Sequence, residues 1–360
     1  MSKYAFNVGI LGATGAVGQK FIRLLQNHPW FTITALAASE RSAGKKYAEA
    51  ANWVEDVPLS DYIANLTVKT SSPETVNNVD FVFSGLDSSV AGEIEQAFAQ
   101  AGIPVISNAK NHRMLDYVPL LVPEVNPDHL RQIEFQESYQ KNGGFIITNP
   151  NCVTVPLTLA LKPIQDAFGI ESLVVTSLQA VSGAGYPGVP CLDILGNVIP
   201  FIDGEEPKVE TEGLKILGSY QENGTVLNAS IPMQATATRV PTIDGHLLSM
   251  MFNTTKKASL EELISAIEQF KNPIAELNLP SSPEKTVVYY HDDRFPQPRK
   301  QAMQYGGMAC HVGRARTGTV LHFSLVAMAH NTIRGAAGGA ILNAELLVEK
   351  GYIKNDNSSI

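Results

Sequence analysis

Short apolar runs punctuated by glycine, alternating with segments of helical spacing, fill the first 150 residues. Phe6–Leu11 is an apolar run bounded by Gly12, which predicts a buried strand, and residues 18–26 carry the spacing of a helix. Further apolar runs at 33–37, 81–83, 105–106, 120–122 and 145–148 predict strands. Residues 90–101 predict a helix with Gly102 as its C-terminal cap. Strands alternating with helices imply a parallel sheet with helices on its faces.

The pattern changes after residue 152. Residues 153–168 predict a helix, and 173–180 a strand long enough to cross a sheet. Residues 181–225 are rich in Gly, Pro and Glu and predict an extended loop region. Two apolar runs within 236–254 flank the turn pair Asp244-Gly245. Ser259 and Glu262 form a capping box for a helix over 260–270. Residues 287–290, 308–314 and 319–329 predict strands, with Arg316-Thr317-Gly318 as the hairpin turn between the last two. This half reads as a mostly antiparallel sheet with helices on one side. Residues 331–349 return to helix, with Gly351 as its cap, and Ala336-Ala337-Gly338-Gly339-Ala340 would let another backbone approach closely. Residues 355–360 read as a frayed tail.

Composition narrows the function. A chain of 360 residues, 44 % hydrophobic and 17 % charged, has the length for two domains and the means to bury large cores. A net charge of −8 makes nucleic acid and anionic membrane poor partners. No uncharged apolar run reaches the ~18 residues of a spanning helix. The N-terminus lacks a signal-peptide pattern. Three cysteines, Cys152, Cys191 and Cys310, suit a reducing compartment, so the expected location is the cytoplasm. None are paired at C-x-x-C spacing, and no metal site is expected.

The first strand runs into Gly12-Ala13-Thr14-Gly15-Ala16-Val17-Gly18. Glycines there allow a tight turn and close approach of backbone to a pyrophosphate, which the N–H groups of the following helix would bind. The spacing is G-x-x-G-x-x-G rather than the standard G-x-G-x-x-G, but it stands between strand and helix where the mechanism needs it. Gly12, Thr14, Gly15, Ala16 and Val17 are therefore expected to hold a dinucleotide. At the end of the second strand, Ser39, Arg41 and Ser42 suit the 2′-phosphate of NADP, with Lys45 nearby. Glu40 is the contrary residue, since an inward carboxylate there would favour NAD.

Cys152 follows Asn149-Pro150-Asn151, where a strand yields to a helix. A thiol at a helix N-terminus is expected to be stabilised as thiolate. Thiolate attack on an aldehyde gives a thiohemiacetal, and hydride loss then gives a thioester that a second nucleophile cleaves. Cys191 and Cys310 read as small hydrophobes. The thiol needs an acid/base partner. Among eight histidines His246, just after the Asp244-Gly245 turn, stands out, but its pattern alone does not separate it from an ordinary surface or core histidine.

Seven motifs in order, GATGAVG, SNAKNHRM, NPNC, QAVSGAGYPG, GEEPK, RVPTIDGH and NTIRGAAG, cover nearly the whole chain. Together they resemble the aspartate-β-semialdehyde dehydrogenases, in the branch typical of archaea and fungi. The resemblance implies NADP-dependent, reversible reductive dephosphorylation of β-aspartyl phosphate to aspartate semialdehyde, leading toward lysine, threonine and methionine. It makes Cys152 the nucleophile, His246 the general acid/base and Gln179 the residue orienting the intermediate. Arg239 would take the substrate carboxylate by a two-pronged contact. Glu205 or Glu206 would take the substrate ammonium, Glu205 being favoured by its E-x-x-K spacing to Lys208. Arg113, Asn151 and Lys208 would hold phosphate. Ser182 and Gly183 would pass close to the nicotinamide, and Asn331 would lie near its carboxamide.

The expected fold is thus α/β. A Rossmann-type NADP-binding domain comprises residues 1–150 and 331–360. An α+β catalytic and dimerisation domain with a mostly antiparallel sheet comprises 151–330. The resemblance also implies a homodimer or a homotetramer built as a dimer of dimers. The rival within this chemistry is a coenzyme A-dependent acyl reductase, such as the malonyl-CoA reductase of some archaea. A Cys-His acyl transferase or hydrolase is the rival outside it, and it leaves the glycine loop unexplained.

Overall fold

The structure, a computed structural model, describes residues 4–354. The tail expected at 355–360 lies outside the described residues, as do residues 1–3 of the expected first domain.

Six short strands form the first sheet: β1 (Phe6–Leu11), β2 (Phe31–Ala38), β3 (Val68–Thr70), β4 (Phe81–Ser84), β5 (Val105–Ser107) and β6 (Ile146–Thr148). Their order is β3-β2-β1-β4-β5-β6, and every pairing is parallel. The strands are apolar because helices cover both faces of such a sheet. Strand order reverses between β1 and β4, which opens a crevice outside their carboxyl ends. The helix Ala16–Leu25 starts at that crevice. The helix Ser88–Gln100 starts beside it, capped by the Asp87 carboxylate, which accepts the Ser89 N–H at 2.9 Å.

The second sheet contains β7 (Ile170–Gln179), β10 (Met233–Arg239), β11 (His246–Thr254), β12 (Val287–Tyr290), β13 (Cys310–Thr317) and β14 (Phe323–Ala329). A small hairpin, β8 (Ser219–Tyr220) with β9 (Val226–Leu227), lies apart from it. The order is β10-β7-β11-β14-β13-β12. The three inner pairings are antiparallel and the two outer ones parallel, so the sheet is mixed. The helices Thr154–Phe168, Glu205–Ile216 and Leu260–Glu268 pack on it through a core that includes Leu157, Leu161, Val209, Leu248, Phe252 and Leu325. The last of these helices carries the expected Ser259–Glu262 capping box.

Four sequence expectations need correction. Arg316 and Thr317 do not form the hairpin turn but pair with Ser324 and Phe323 at the end of β13, so the turn lies between Thr317 and Phe323. Residues 181–225 are not one extended loop: they hold the short helix Cys191–Ile194, the three-turn helix Glu205–Ile216 and part of the hairpin. Residues 120–122 are not a strand. Only Leu120 bridges to Thr148, because Pro119 and Pro123 bracket the run and have no N–H to extend a ladder. Residues 331–349 are not one regular helix. Ile333–Ala337 is a π turn, with the Gly335 N–H on the His330 carbonyl at 3.0 Å, and the α-helix proper is Gly338–Glu349.

Candidate active site

The glycine loop is shaped by two close approaches. Gly12 has φ of +73°, and a Cβ there would lie 2.7 Å from the Gly85 carbonyl oxygen. Gly18 packs so tightly on the Gly12 carbonyl that no side chain fits. Tyr47 Oη donates to the Ala13 carbonyl at 2.8 Å and Gln19 Nε2 to the Thr14 carbonyl at 3.0 Å, which fixes the loop from beneath. The helix then begins at Ala16 with no side-chain cap and no acidic residue in its first turn. Its free N–H groups and positive dipole end are left for an external anion, so the loop fits a pyrophosphate. Ser39, Arg41 and Ser42 follow the carboxyl end of the neighbouring β2, and Arg41 and Glu40 are both exposed.

A cleft of about 1020 Å3 runs from this loop to the second sheet. Ala16 and Val17 line one end. Arg113, Asn151, Cys152, Gln179, Ser182, Gly183, Glu205, Arg239 and Asn331 line the rest. The topology gathers them. Parallel pairing of β7 with β10 sets their last residues, Gln179 and Arg239, side by side. Antiparallel β11 begins at the same edge with His246. Cys152 stands just before the helix Thr154–Phe168, and Glu205 opens the helix Glu205–Ile216. The π turn brings Gly335 against Cys152, where a Cβ would lie 2.8 Å from the cysteine Cβ.

Glu205 is the hub of the polar contacts. It accepts from Asn151 Nδ2 at 3.0 and 3.2 Å, from Gln179 Nε2 at 3.2 Å and from Lys208 Nζ at 2.6 Å. Burial raises the Glu205 carboxyl, but Lys208, by hydrogen bond and by charge, outweighs that together with Asn151 and Gln179 and holds it below the usual carboxylate range. Glu206 turns away: it accepts the backbone N–H of Ala237 on β10 at 3.0 Å and does not line the cleft. Arg239 Nη1 donates to the Ala180 carbonyl at 2.9 Å. Asn331 donates to Ser182 Oγ at 2.8 Å and accepts the Gly245 N–H at 2.9 Å, which ties the C-terminal segment to the two loops of the second sheet.

Cys152 departs from the expected thiolate. Burial, then the Glu205 charge, push its thiol up to about 12, and Arg113 and Arg239 pull back only part of that. His246 is fully buried and, unlike the other expected catalytic residues, is not among those lining the cleft; burial, then Arg239, push its ring down to about 3. Its Nδ1 accepts the Ala180 N–H at 3.0 Å, so the neutral ring carries its proton on Nε2, which has no partner. Gly183 lies over that nitrogen: a Cβ there would be 3.1 Å from His246 Nε2 and 2.9 Å from Arg239 Nη1.

The sequence reading passed over Glu212 and Lys215, both buried on the same helix as Glu205 and Lys208. The 3-4-3 spacing of residues 205, 208, 212 and 215 puts them along one side of a helix, a signal hidden by the expectation of a loop. It also passed over Lys20, Arg23, Glu55 and Asp56, which form ion pairs at the cleft mouth: Lys20 to Glu55 at 2.7 Å and Arg23 to Asp56 at 3.0 Å. Among the described residues no three His, Cys, Asp or Glu side chains group as metal ligands, and no helix is long and apolar enough to cross a membrane.

Known proteins match nearly the whole chain. The family model for the semialdehyde dehydrogenase NAD binding domain matches residues 7–133, and that for the semialdehyde dehydrogenase dimerisation domain matches 161–334. The aspartate-semialdehyde dehydrogenase of Archaeoglobus fulgidus is 47 % identical over 97 % of this chain and 99 % of its own. That of Schizosaccharomyces pombe is 45 % identical over 96 % and 99 %. The crystal structure of aspartate semialdehyde dehydrogenase with NADP from Candida albicans superposes with a TM-score of 0.89 at 40 % identity, covering 97 % of this chain and all of that one. Aspartate semialdehyde dehydrogenase II from Vibrio cholerae, complexed with ASA, gives 0.74 at 30 % identity, covering 96 % and 99 %. With its parallel-sheet Rossmann unit, its mixed second sheet and its cleft cysteine, the chain belongs to the aspartate-semialdehyde dehydrogenase family.

Proposed function

We propose that the chain catalyses the reversible reaction of β-aspartyl phosphate and NADPH to aspartate semialdehyde, phosphate and NADP+, through a thioester on Cys152. The observation that carries this is one cleft in which a cysteine, two guanidinium groups and a buried carboxylate converge beside a pyrophosphate-shaped loop. Its chemistry matches a substrate bearing a carboxylate, an ammonium and a reacting acyl phosphate. Residues 1–150 with 331–360 bind the cofactor, and 151–330 carry the catalytic groups.

Arg239 binds the substrate carboxylate through the guanidinium N–H groups it does not spend on Ala180. Glu205, held anionic by Lys208, binds the ammonium, and Gln179 orients the acyl group. Arg113 and Asn151 hold the phosphate, while Lys208, expected there as well, is not among the residues lining the cleft and acts through Glu205. The Cys152 sulfur bonds to the acyl carbon as the acyl–oxygen bond breaks, the thiol proton leaves on the departing phosphate, and the aspartyl group stays on sulfur. His246 offers Nε2–H to the oxygen that becomes anionic when the thioester is reduced, and serves as the acid/base partner at that atom. Bound NADPH supplies the hydride. Gly12, Thr14, Gly15, Ala16 and Val17 would hold its pyrophosphate, Ser39, Arg41 and Ser42 its 2′-phosphate, and Ser182, Gly183 and Asn331 its nicotinamide end.

Two copies pair as a homodimer, with a dimer of dimers as the larger assembly. The match of 161–334 to a dimerisation domain supports pairing, as do the exposed apolar side chains of Leu192, Leu195, Val198 and Phe201 on the same half. A cytoplasmic location is supported by Cys152, Cys191 and Cys310 all being free thiols.

Aspartate semialdehyde, NADP+ and the enzyme should produce NADPH absorbance only when phosphate or arsenate is added. Activity that ignores phosphate but requires coenzyme A would overturn the assignment.

A further inference from the structure

We infer that Glu212 is a positioning residue for the phosphate pocket, setting Arg113 and the Asn151 amide in register beside Cys152. The inference rests on the reading of Arg113 and Asn151 as phosphate contacts. Glu212 is 2 % exposed and does not line the cleft. Its Oε1 accepts from Arg113 Nη1 at 2.8 Å and its Oε2 accepts the backbone N–H of Asn151 at 2.7 Å. One carboxylate thus joins two chain segments 38 positions apart in sequence, one carrying a cation and the other the residue before the nucleophile.

The contacts around this pair show why it matters. Arg113 Nη2 donates to the Asn108 carbonyl at 2.7 Å, and its Nε is buried without a partner. Two nitrogens are therefore committed to orientation, and the guanidinium still has N–H capacity for an anion in the cleft it lines. Lys215, one turn beyond Glu212, donates to the carbonyls of Arg113, Leu115 and Val118 at 2.8, 2.9 and 2.9 Å. Side chain and main chain of the 113–118 segment are thus fixed by a single helix. Asn151 is fixed twice by the same helix, at its N–H by Glu212 and at its side chain by Glu205.

A carboxylate is required rather than an amide. Both Glu212 oxygens accept, and both partners can only donate. A glutamine would turn its NH2 toward either Arg113 or the Asn151 N–H, and one contact would become donor facing donor. Either way the phosphate contacts lose their alignment, while Arg239 and the glycine loop keep theirs.

Steady-state kinetics in the oxidative direction test this, with semialdehyde and NADP+ saturating and phosphate varied. Glu212→Gln should raise KM for phosphate by about tenfold to a hundredfold, the size of one lost charge-assisted hydrogen bond. KM for semialdehyde and for NADP+ should stay near wild type, a split that general loosening of the fold would not produce. Glu212→Asp, which keeps both acceptors on a shorter reach, should show the same split with a smaller rise, and it carries the test should the glutamine variant fail to fold. Arg113→Ala should raise the same KM, and Glu212→Gln added to it should raise it little further, since the two act as a unit. An unchanged phosphate KM in Arg113→Ala would overturn the reading of the pocket itself. A phosphate KM raised by Arg113→Ala but not by Glu212→Gln, or all three KM values rising together in Glu212→Gln, would overturn the role of Glu212 alone.

Discussion

Cys152→Ser abolishes turnover, lowering kcat by at least about 10^4-fold, while NADP binding measured by calorimetry stays at the wild-type value. Serine has the size to fit beside Gly335, where the cysteine backbone and Cβ leave no spare room, so the fold tolerates it. It lacks the nucleophilicity of sulfur, and its oxygen ester would be a poorer hydride acceptor and its alkoxide a poorer leaving group than the thioester and thiolate of Cys152. NADP binding is spared because the glycine loop is braced by Tyr47 and Gln19, not by Cys152. The resting thiol adds a pH signature. Its proton is held up to about 12 by burial and by Glu205, so thiolate is scarce at pH 7 and grows as pH rises toward that value. Alkylation of the free enzyme by iodoacetamide should therefore be slow at neutral pH and accelerate with each step upward. A fast, pH-independent reaction at pH 6–8 would mean a preformed thiolate.

His246→Ala should lower kcat by about 10^2- to 10^4-fold, the range for a positioned acid/base group. KM for the semialdehyde should change little, since Arg239 and Glu205 hold the charged ends of the substrate. The ring is placed by its bond from the Ala180 N–H, and its free Nε2 is the one buried ring nitrogen beneath Gly183. Alanine deletes that donor and leaves the Ala180 N–H without its acceptor. A loss below about tenfold, with the variant folded, would remove His246 from the chemistry.

Where burial is apolar, the architecture was legible in the sequence. The run Phe6–Leu11 stopped by Gly12, the turn Asp244-Gly245 before His246 and the Ser259–Glu262 box all mark real boundaries. The helix Glu205–Ile216 was not legible, because much of its buried face is polar: Glu205, Glu212 and Lys215 are buried with Val209 and Ile216. A charged face pairing inward has no hydrophobic periodicity to read, and Gly204 and Pro207 at its start imitate a loop. The same blindness hid Glu212. Leu120–Leu121–Val122 erred the opposite way, apolar enough for a strand but flanked by prolines that cannot donate. The E-x-x-K spacing to Lys208 favoured Glu205 over Glu206, but it held no physical reason for the preference. The choice depends on which carboxylate the helix start turns toward the cleft, and a backbone N–H on β10 draws Glu206 away. At Cys152 the sequence showed only the helix position, which favours thiolate; burial and the adjacent Glu205, which push the thiol up, come from segments distant in sequence.

The most direct test of the account is the covalent state of Cys152 during the reaction. The enzyme is mixed with β-aspartyl phosphate without NADPH, quenched in acid and examined by intact-protein and peptide mass spectrometry. An aspartyl group on Cys152, absent from Cys152→Ser and discharged when NADPH is added before the quench, is the predicted result. An unmodified Cys152 in enzyme that turns over, or the acyl group on any other side chain, would contradict it.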